Sequence, residues 1–145
     1  MAEAIGTIAS VAQLVHLSGT ILAGGYGFLS TVARAPSEIR SLLTEAAAVN
    51  SLLGQLQIIA DVEPNPATQS VIKTLDGLGA FQECRATLKL IENALSRCQQ
   101  EAGKDLKNIG RRLTWPFKEK ETKDAMQRLH RLRSVLANAV EIDSA

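Results

Sequence analysis

An all-α fold, an antiparallel bundle of four to five helices with an apolar N-terminal helix, follows from three observations. Apolar residues make up 46% of the 145 residues but aromatics only 3%, whereas a sheet is richer in the β-branched and aromatic side chains that fit its pleat. The apolar residues recur every three or four positions over long stretches, which is the period of a helix face. Those stretches are separated by short breaks at Ala35-Pro36 and at 61–67, and helices joined by short connections hide their stripes against antiparallel neighbours. A chain of this length forms one domain, with room for one core.

The first helix runs from about Ala4 to Thr31, with Gly24-Gly25 as a point of loosening. Two seams lie on it: Ile5, Ile8, Ala12, Val15, Leu22, Tyr26 and Leu29 form one, and Val11, Leu14, Ile21, Phe28 and Val32 the other. Between Glu3 and Arg34 only His16 titrates near neutral pH. A helix apolar all round is enclosed in a bundle or lies in lipid, and about 20 residues suffice to cross the hydrocarbon core. Gly19, Ala23 and Gly27 recur every four residues, as do Gly6 and Ser10, a spacing that lets helices approach closely in membranes. At rest the segment reads as a central core helix whose glycines admit close neighbours, and Glu3 carries the main charge cost of any insertion. No basic residue precedes the apolar run, so it is not read as a secretory signal.

The second helix, from about Ser37 to Ala60, places Ile39, Leu42, Ala46, Val49, Leu53, Leu56 and Ala60 on one seam. Pro64 and Pro66 break the chain, with Asn65 as a cap and Pro66 at a first helical position. The third helix puts Val71, Leu75, Leu78, Phe81, Cys84, Leu88, Ile91, Leu95 and Cys98 on one face, and Asp76-Gly77 with Gly79 either bends it or splits off a short leading helix. An irregular stretch around 102–110 leads to Trp115-Pro116-Phe117, read first as an aromatic anchor packing the last loop onto the core, with a lipid-interface contact as the less favoured alternative. The fourth helix, from about Lys118 to Val140, turns Met126, Leu129, Leu132, Leu136 and Val140 inward.

The net charge of +1 is unevenly spread: residues 104–133 hold ten Lys or Arg against four acids, a local excess of +6, while residues 35–103 carry −3. The basic stretch has three readings. It is a solvated face laced with pairs such as Lys120–Asp124 and Glu119–Lys123, or a surface for anionic lipid through Lys104, Lys107, Arg111, Arg112 and Lys118, or, least supported with one Trp and no motif, a nucleic-acid site. Neither nucleic acid nor a small-molecule substrate is expected as a partner. Cys84 and Cys98, fourteen residues apart on one helix, are separated by about 21 Å of rise and read as packing residues of a reducing compartment. No nucleophile elbow, phosphate loop or metal-ligand spacing occurs, so the expectation is a protein without catalytic residues, metal or cofactor.

Three stretches taken together carry a family likeness: the apolar start leading into GGYGFL (24–29), RAPSEIRSLLTEAAAVNSLLGQL (34–56) and GRRLTWPFKEKETKDAMQRLHRLRSVL (110–136). They resemble the HeLo-like domain at the N-terminus of fungal STAND proteins, the NOD-like receptors, and the resemblance covers nearly the whole chain. It implies a single module of residues 1–145, part of a longer receptor, akin to the execution domains of fungal heterokaryon incompatibility and to the necroptotic four-helix bundle. By that resemblance the domain rests in the cytoplasm, oligomerises with copies of itself on activation and permeabilises the plasma membrane. The inserting element would be Ile5 to about Leu29, with Ile5, Ile8, Val11, Leu14, Val15, Leu22, Tyr26, Phe28 and Leu29 facing lipid. Arg34, Pro36, Ile39, Trp115, Pro116 and Phe117 map onto joints and packing. Many relatives have Asp-Pro where this chain has Glu3-Ala4 and a Lys at the position of Ala33. A non-inserting adaptor module for protein interaction is the alternative.

Overall fold

The computed structural model describes the backbone of residues 2–31, 37–62, 66–104 and 119–144, and side chains at 9–29, 37, 39–60, 66, 69–96 and 120–141. Five helices follow in order: α1 (Ala2–Thr31), α2 (Ser37–Val62), α3 (Pro66–Gly77), α4 (Ala80–Lys104) and α5 (Glu119–Ser144). The fold is an all-α bundle, as expected. α1 is continuous through Gly24-Gly25, and the stretch from Pro66 to Lys104 is two helices, not one.

Each long helix buries a seam whose members alternate three and four residues apart. On α1 these are Val11, Leu14, Ser18, Ile21, Gly25 and Phe28; on α2, Ile39, Leu42, Ala46, Val49, Leu53, Leu56 and Ala60; on α4, Phe81, Cys84, Leu88, Ile91 and Leu95; on α5, Thr122, Ala125, Leu129, Leu132, Leu136 and Ala139. A mean repeat of 3.5 falls short of the 3.6 residues of a straight helix, so seams of this kind favour near-parallel packing with a slight left-handed wind.

The long helices close into a ring, α1 against α2, α2 against α5, α5 against α4 and α4 against α1. The diagonal pairs α1/α5 and α2/α4 do not touch among the described residues, and the short α3 lies against all four. Asn50 meets Ser18 and Leu43 lies under Gly25, so α2 runs antiparallel to α1.

The break between α3 and α4 has a local cause. Gly79 takes φ +76°, a left-handed conformation that costs a side-chain-bearing residue more than glycine. Its amide donates to the Asp76 carbonyl at 3.0 Å, and its own carbonyl accepts from the Glu83 amide at 2.9 Å, opening α4. The interruption resets the helical phase. Leu78, expected inward on one continuous face, sits in the turn at 73% exposure, and α3 buries Ile72 in place of Val71, which is half-buried.

Two glycines of α1 have opposite surroundings. A Cβ at Gly25 would overlap the Leu43 side chain, itself fully buried, whereas one at Gly27 would meet nothing within 4 Å. Gly25→Ala is expected to destabilise by about 1–3 kcal/mol through overpacking, outweighing a helix-propensity gain of about 1 kcal/mol. Gly27→Ala, without that clash, is expected to stabilise by up to about 1 kcal/mol. Urea unfolding of the pair checks both signs.

Cys84 is buried, and burial, helped by the neighbouring Glu83 carboxylate, pushes its thiol from the ordinary 9.0 up to about 12. Thiolate is the reactive form, so labelling of Cys84 at pH 8, followed by mass spectrometry, is expected to proceed only through opening of the bundle. Since the folded thiol titrates above the unfolded one, its contribution to stability is complete below about pH 9 and is lost as the pH rises toward 12.

Candidate functional site

α1 packs against α2, α4 and the short α3, and among the described residues no helix covers its outer side. Its buried stripe of Val11, Leu14, Ser18, Ile21, Gly25 and Phe28 faces the core, while Gln13, His16, Thr20, Ala23, Tyr26 and Gly27 are exposed. The expectation of an enclosed central helix is therefore corrected: α1 is one wall of the ring. The physical reason is that a four-membered ring has no central position, and each member keeps an outer arc toward solvent.

The residues expected to face lipid divide accordingly. Val11, Leu14 and Phe28 are core residues; Val15, Leu22 and Leu29 are half-buried along the edges of the stripe, and Tyr26 is 54% exposed. Ile5 and Ile8 lie on α1, with side chains outside the described set. The Gly19, Ala23, Gly27 row does not serve a close helix contact within the bundle. Gly19 is half-buried, with the Asn50 amide nitrogen 3.9 Å from where its Cβ would stand, and Ala23 and Gly27 face outward. The close approach is made by Gly25.

Ser18 and Asn50 form the polar contact between α1 and α2. The fully buried Ser18 hydroxyl donates to the Leu14 carbonyl at 2.8 Å. The Asn50 amide group spends its two hydrogens on α1, donating to the Ser18 Oγ at 2.8 Å and to the Val15 carbonyl at 3.1 Å. Among the described residues no buried side-chain polar atom lacks a partner, so this cluster fixes the register of α1 on α2 without an unsatisfied group.

Ion pairs are distributed differently. Glu45 of α2, with a side chain 16% exposed, accepts from Arg133 Nη1 of α5 at 3.2 Å to each oxygen, with His130 Nδ1 at 3.4 Å. Glu83 of α4 accepts from Arg131 of α5 at 3.5 Å. Thus α5 ties α2 to α4 by charge, and no ion pair among the described residues involves α1. Such pairs contribute modestly, roughly 0–1 kcal/mol when exposed. Apolar burial contributes more: Val11, Leu14, Ile21 and Phe28 hold α1 by about 1.5–3 kcal/mol each, on the order of 6–12 kcal/mol together as an upper estimate.

Among the described residues, the helix long and apolar enough to cross a membrane by length and composition is Ile39–Ala60, in α2, not α1. Its inward seam is the core of the ring, and a core helix meets the same criteria. No group of three or more His, Cys, Asp or Glu among the described residues could hold a metal ion. Lys104 ends α4 with its side chain outside the described set, and Lys107, Arg111, Arg112, Lys118, Arg34, Pro36, Trp115, Pro116 and Phe117 lie outside the described residues.

Sequence reasoning missed Ser18, Asn50, Gly25 and the Glu45–Arg133 pair. The signal for two of them was present, because the gaps in the seam Val11, Leu14, Ile21, Phe28 fall at positions 18 and 25, where small residues admit Asn50 and Leu43. Compared with protein-family models, curated proteins and solved structures, the chain matches none.

Asn50→Ala removes both cross-helix donors and leaves the buried Ser18 hydroxyl without one partner. The expected cost is about 1–3 kcal/mol, and Ser18→Ala with Asn50→Ala is expected to cost less than the sum of the single changes. Hydrogen exchange should show the loss of protection concentrated in α1.

Proposed function

We propose that this chain is a membrane-active effector domain whose α1 leaves the bundle when copies of the chain are clustered, as in the cell-death domains of fungal receptors that its sequence resembles. The observation that carries this reading is the contrast in attachment. α2, α4 and α5 are joined by ion pairs through Glu45–Arg133 and Glu83–Arg131, while among the described residues α1 meets its neighbours through an apolar stripe and the neutral Ser18–Asn50 cluster. Among the described residues its departure breaks no ion pair.

Release costs the burial of the stripe, so it requires a competing environment that accepts apolar surface. Sister α1 helices and lipid both qualify, and clustering shifts the population by raising the local concentration of such partners. Anionic membrane lipid, drawn by the basic stretch 104–133, is the second partner. The domain then rests in the cytoplasm and acts at the plasma membrane, with no catalytic step.

A second reading, a non-inserting adaptor module, is favoured by the outer arc of α1. Gln13 and His16 are exposed there, and each is unfavourable in hydrocarbon unless it meets a polar partner, whereas the Thr20 hydroxyl already donates to the His16 carbonyl at 3.0 Å.

Ala23→Glu separates the two readings, because Ala23 is exposed in the bundle and a carboxylate mid-span costs roughly 2.5–3.5 kcal/mol or more in lipid. With the domain clustered by a fused coiled coil on anionic liposomes, leakage is expected from the unmodified chain and is expected to fall at least tenfold with Ala23→Glu, for about 1.4 kcal/mol per factor of ten. Absence of leakage from the clustered chain favours the adaptor, and equal leakage from both overturns the insertion of α1.

A further inference from the structure

The wall that α1 shares with α4 is incompletely filled. A cavity of about 550 Å³ opens between them beside the end of α3, within the roughly 300–1,000 Å³ range of small-molecule sites. Its floor is apolar, with Leu14 and Phe81 buried and Leu17 half-buried. Along the rim α4 places Gln82, Arg85, Lys89 and Glu92, spaced three and four apart and therefore on one side of the helix. From α1 the facing rim carries Ser10, Gln13, His16 and Thr20, with no Asp, Glu, Lys or Arg.

The charges on this rim are not equivalent. Asp76 accepts a hydrogen bond from Gln82 Nε2 at 3.2 Å, and Glu92 accepts from Lys89 Nζ at 3.2 Å. Arg85 stands between these two pairs along α4 and has no hydrogen-bond or ion-pair partner among the described residues. Its planar guanidinium matches a carboxylate or phosphate with two parallel hydrogen bonds. An apolar trough under one uncommitted guanidinium suits a molecule with an apolar chain and an anionic head.

We propose that the α1–α4 groove binds a single-chain amphiphile with an anionic head, the chain lying along Leu14, Leu17 and Phe81 and the head on Arg85. Because α1 and α4 each supply one wall, the ligand binds the closed bundle and, by mass action, holds α1 in place. The groove needs only the closed bundle and binds its ligand whether or not α1 ever leaves.

Titration calorimetry of the full chain with dodecanoate and with dodecyl phosphate, below their micellar concentrations, tests the site. Saturable one-to-one binding of at least one is expected, and the preference between the two distinguishes a fatty carboxylate from a phosphate head. Butyrate and inorganic phosphate, heads without the chain, are expected to bind far more weakly. Arg85→Gln should weaken binding by roughly tenfold or more, the size of one lost charge-assisted hydrogen bond. Gln13→Trp, which fills the groove from the α1 side, should weaken it comparably, and Arg40→Gln, an exposed position on α2 away from the groove, should leave it unchanged, all three variants being matched for melting temperature. The proposal is overturned by absence of saturation, by equal affinity of the chainless heads, or by affinity unchanged in both Arg85→Gln and Gln13→Trp.

Discussion

The repeating seam, with buried positions alternately three and four residues apart, is the constraint on which the bundle depends. Because α1, α2, α4 and α5 share the same repeat, each offers its neighbours a matching series of side chains, and four such helices close a ring. Breaking the repeat has visible effects. At Gly79 the left-handed residue resets the phase, Leu78 is turned out, and what would have been the leading turns of one long helix with α4 becomes the separate, short α3.

Within that ring α1 differs from its neighbours in chemistry more than in geometry. Its seam has two small members, Ser18 and Gly25, and each admits a group from α2: the Asn50 amide at one and the Leu43 side chain at the other. These contacts specify register by shape and hydrogen bonding where α2, α4 and α5 also use charge. A segment with no Asp, Glu, Lys or Arg between Glu3 and Arg34 is positioned without charge of its own. The same lack of charge lowers the cost of moving it into an apolar environment, although Gln13 and His16 on its outer arc raise that cost again.

The candidate site was legible only in part. The seam through Val11, Leu14, Ile21 and Phe28 could be read from spacing, and it is the face that the core selects. The rival seam through Val15, Leu22 and Tyr26 was equally apolar in sequence, and nothing local ranks two such faces. The row of Gly19, Ala23 and Gly27 suggested close helix contact, yet in the bundle it lies half-buried or exposed while Gly25 makes the approach. Small residues permit proximity without choosing the neighbour. The Glu45–Arg133 pair joins positions 88 residues apart, a relation that no spacing rule within a helix can carry.

By itself the sequence determined the elements: helical periods, breakers at Pro36, Pro64 and Pro66, an apolar stripe on α2 that coincides with the core, and one on α5 that does so at Leu129, Leu132 and Leu136, while Ala125 and Ala139 are buried where Met126 and Val140 were expected and those two are half-buried. Those features are local, since propensity and side-chain period act within a few turns of one helix. Only the tertiary structure decided that α1 is a wall and not the centre, that Ser18 and Asn50 fix its register, and that a groove remains between α1 and α4. Each of these depends on which helices become neighbours in the ring, and that choice is made by the fit of four seams at once.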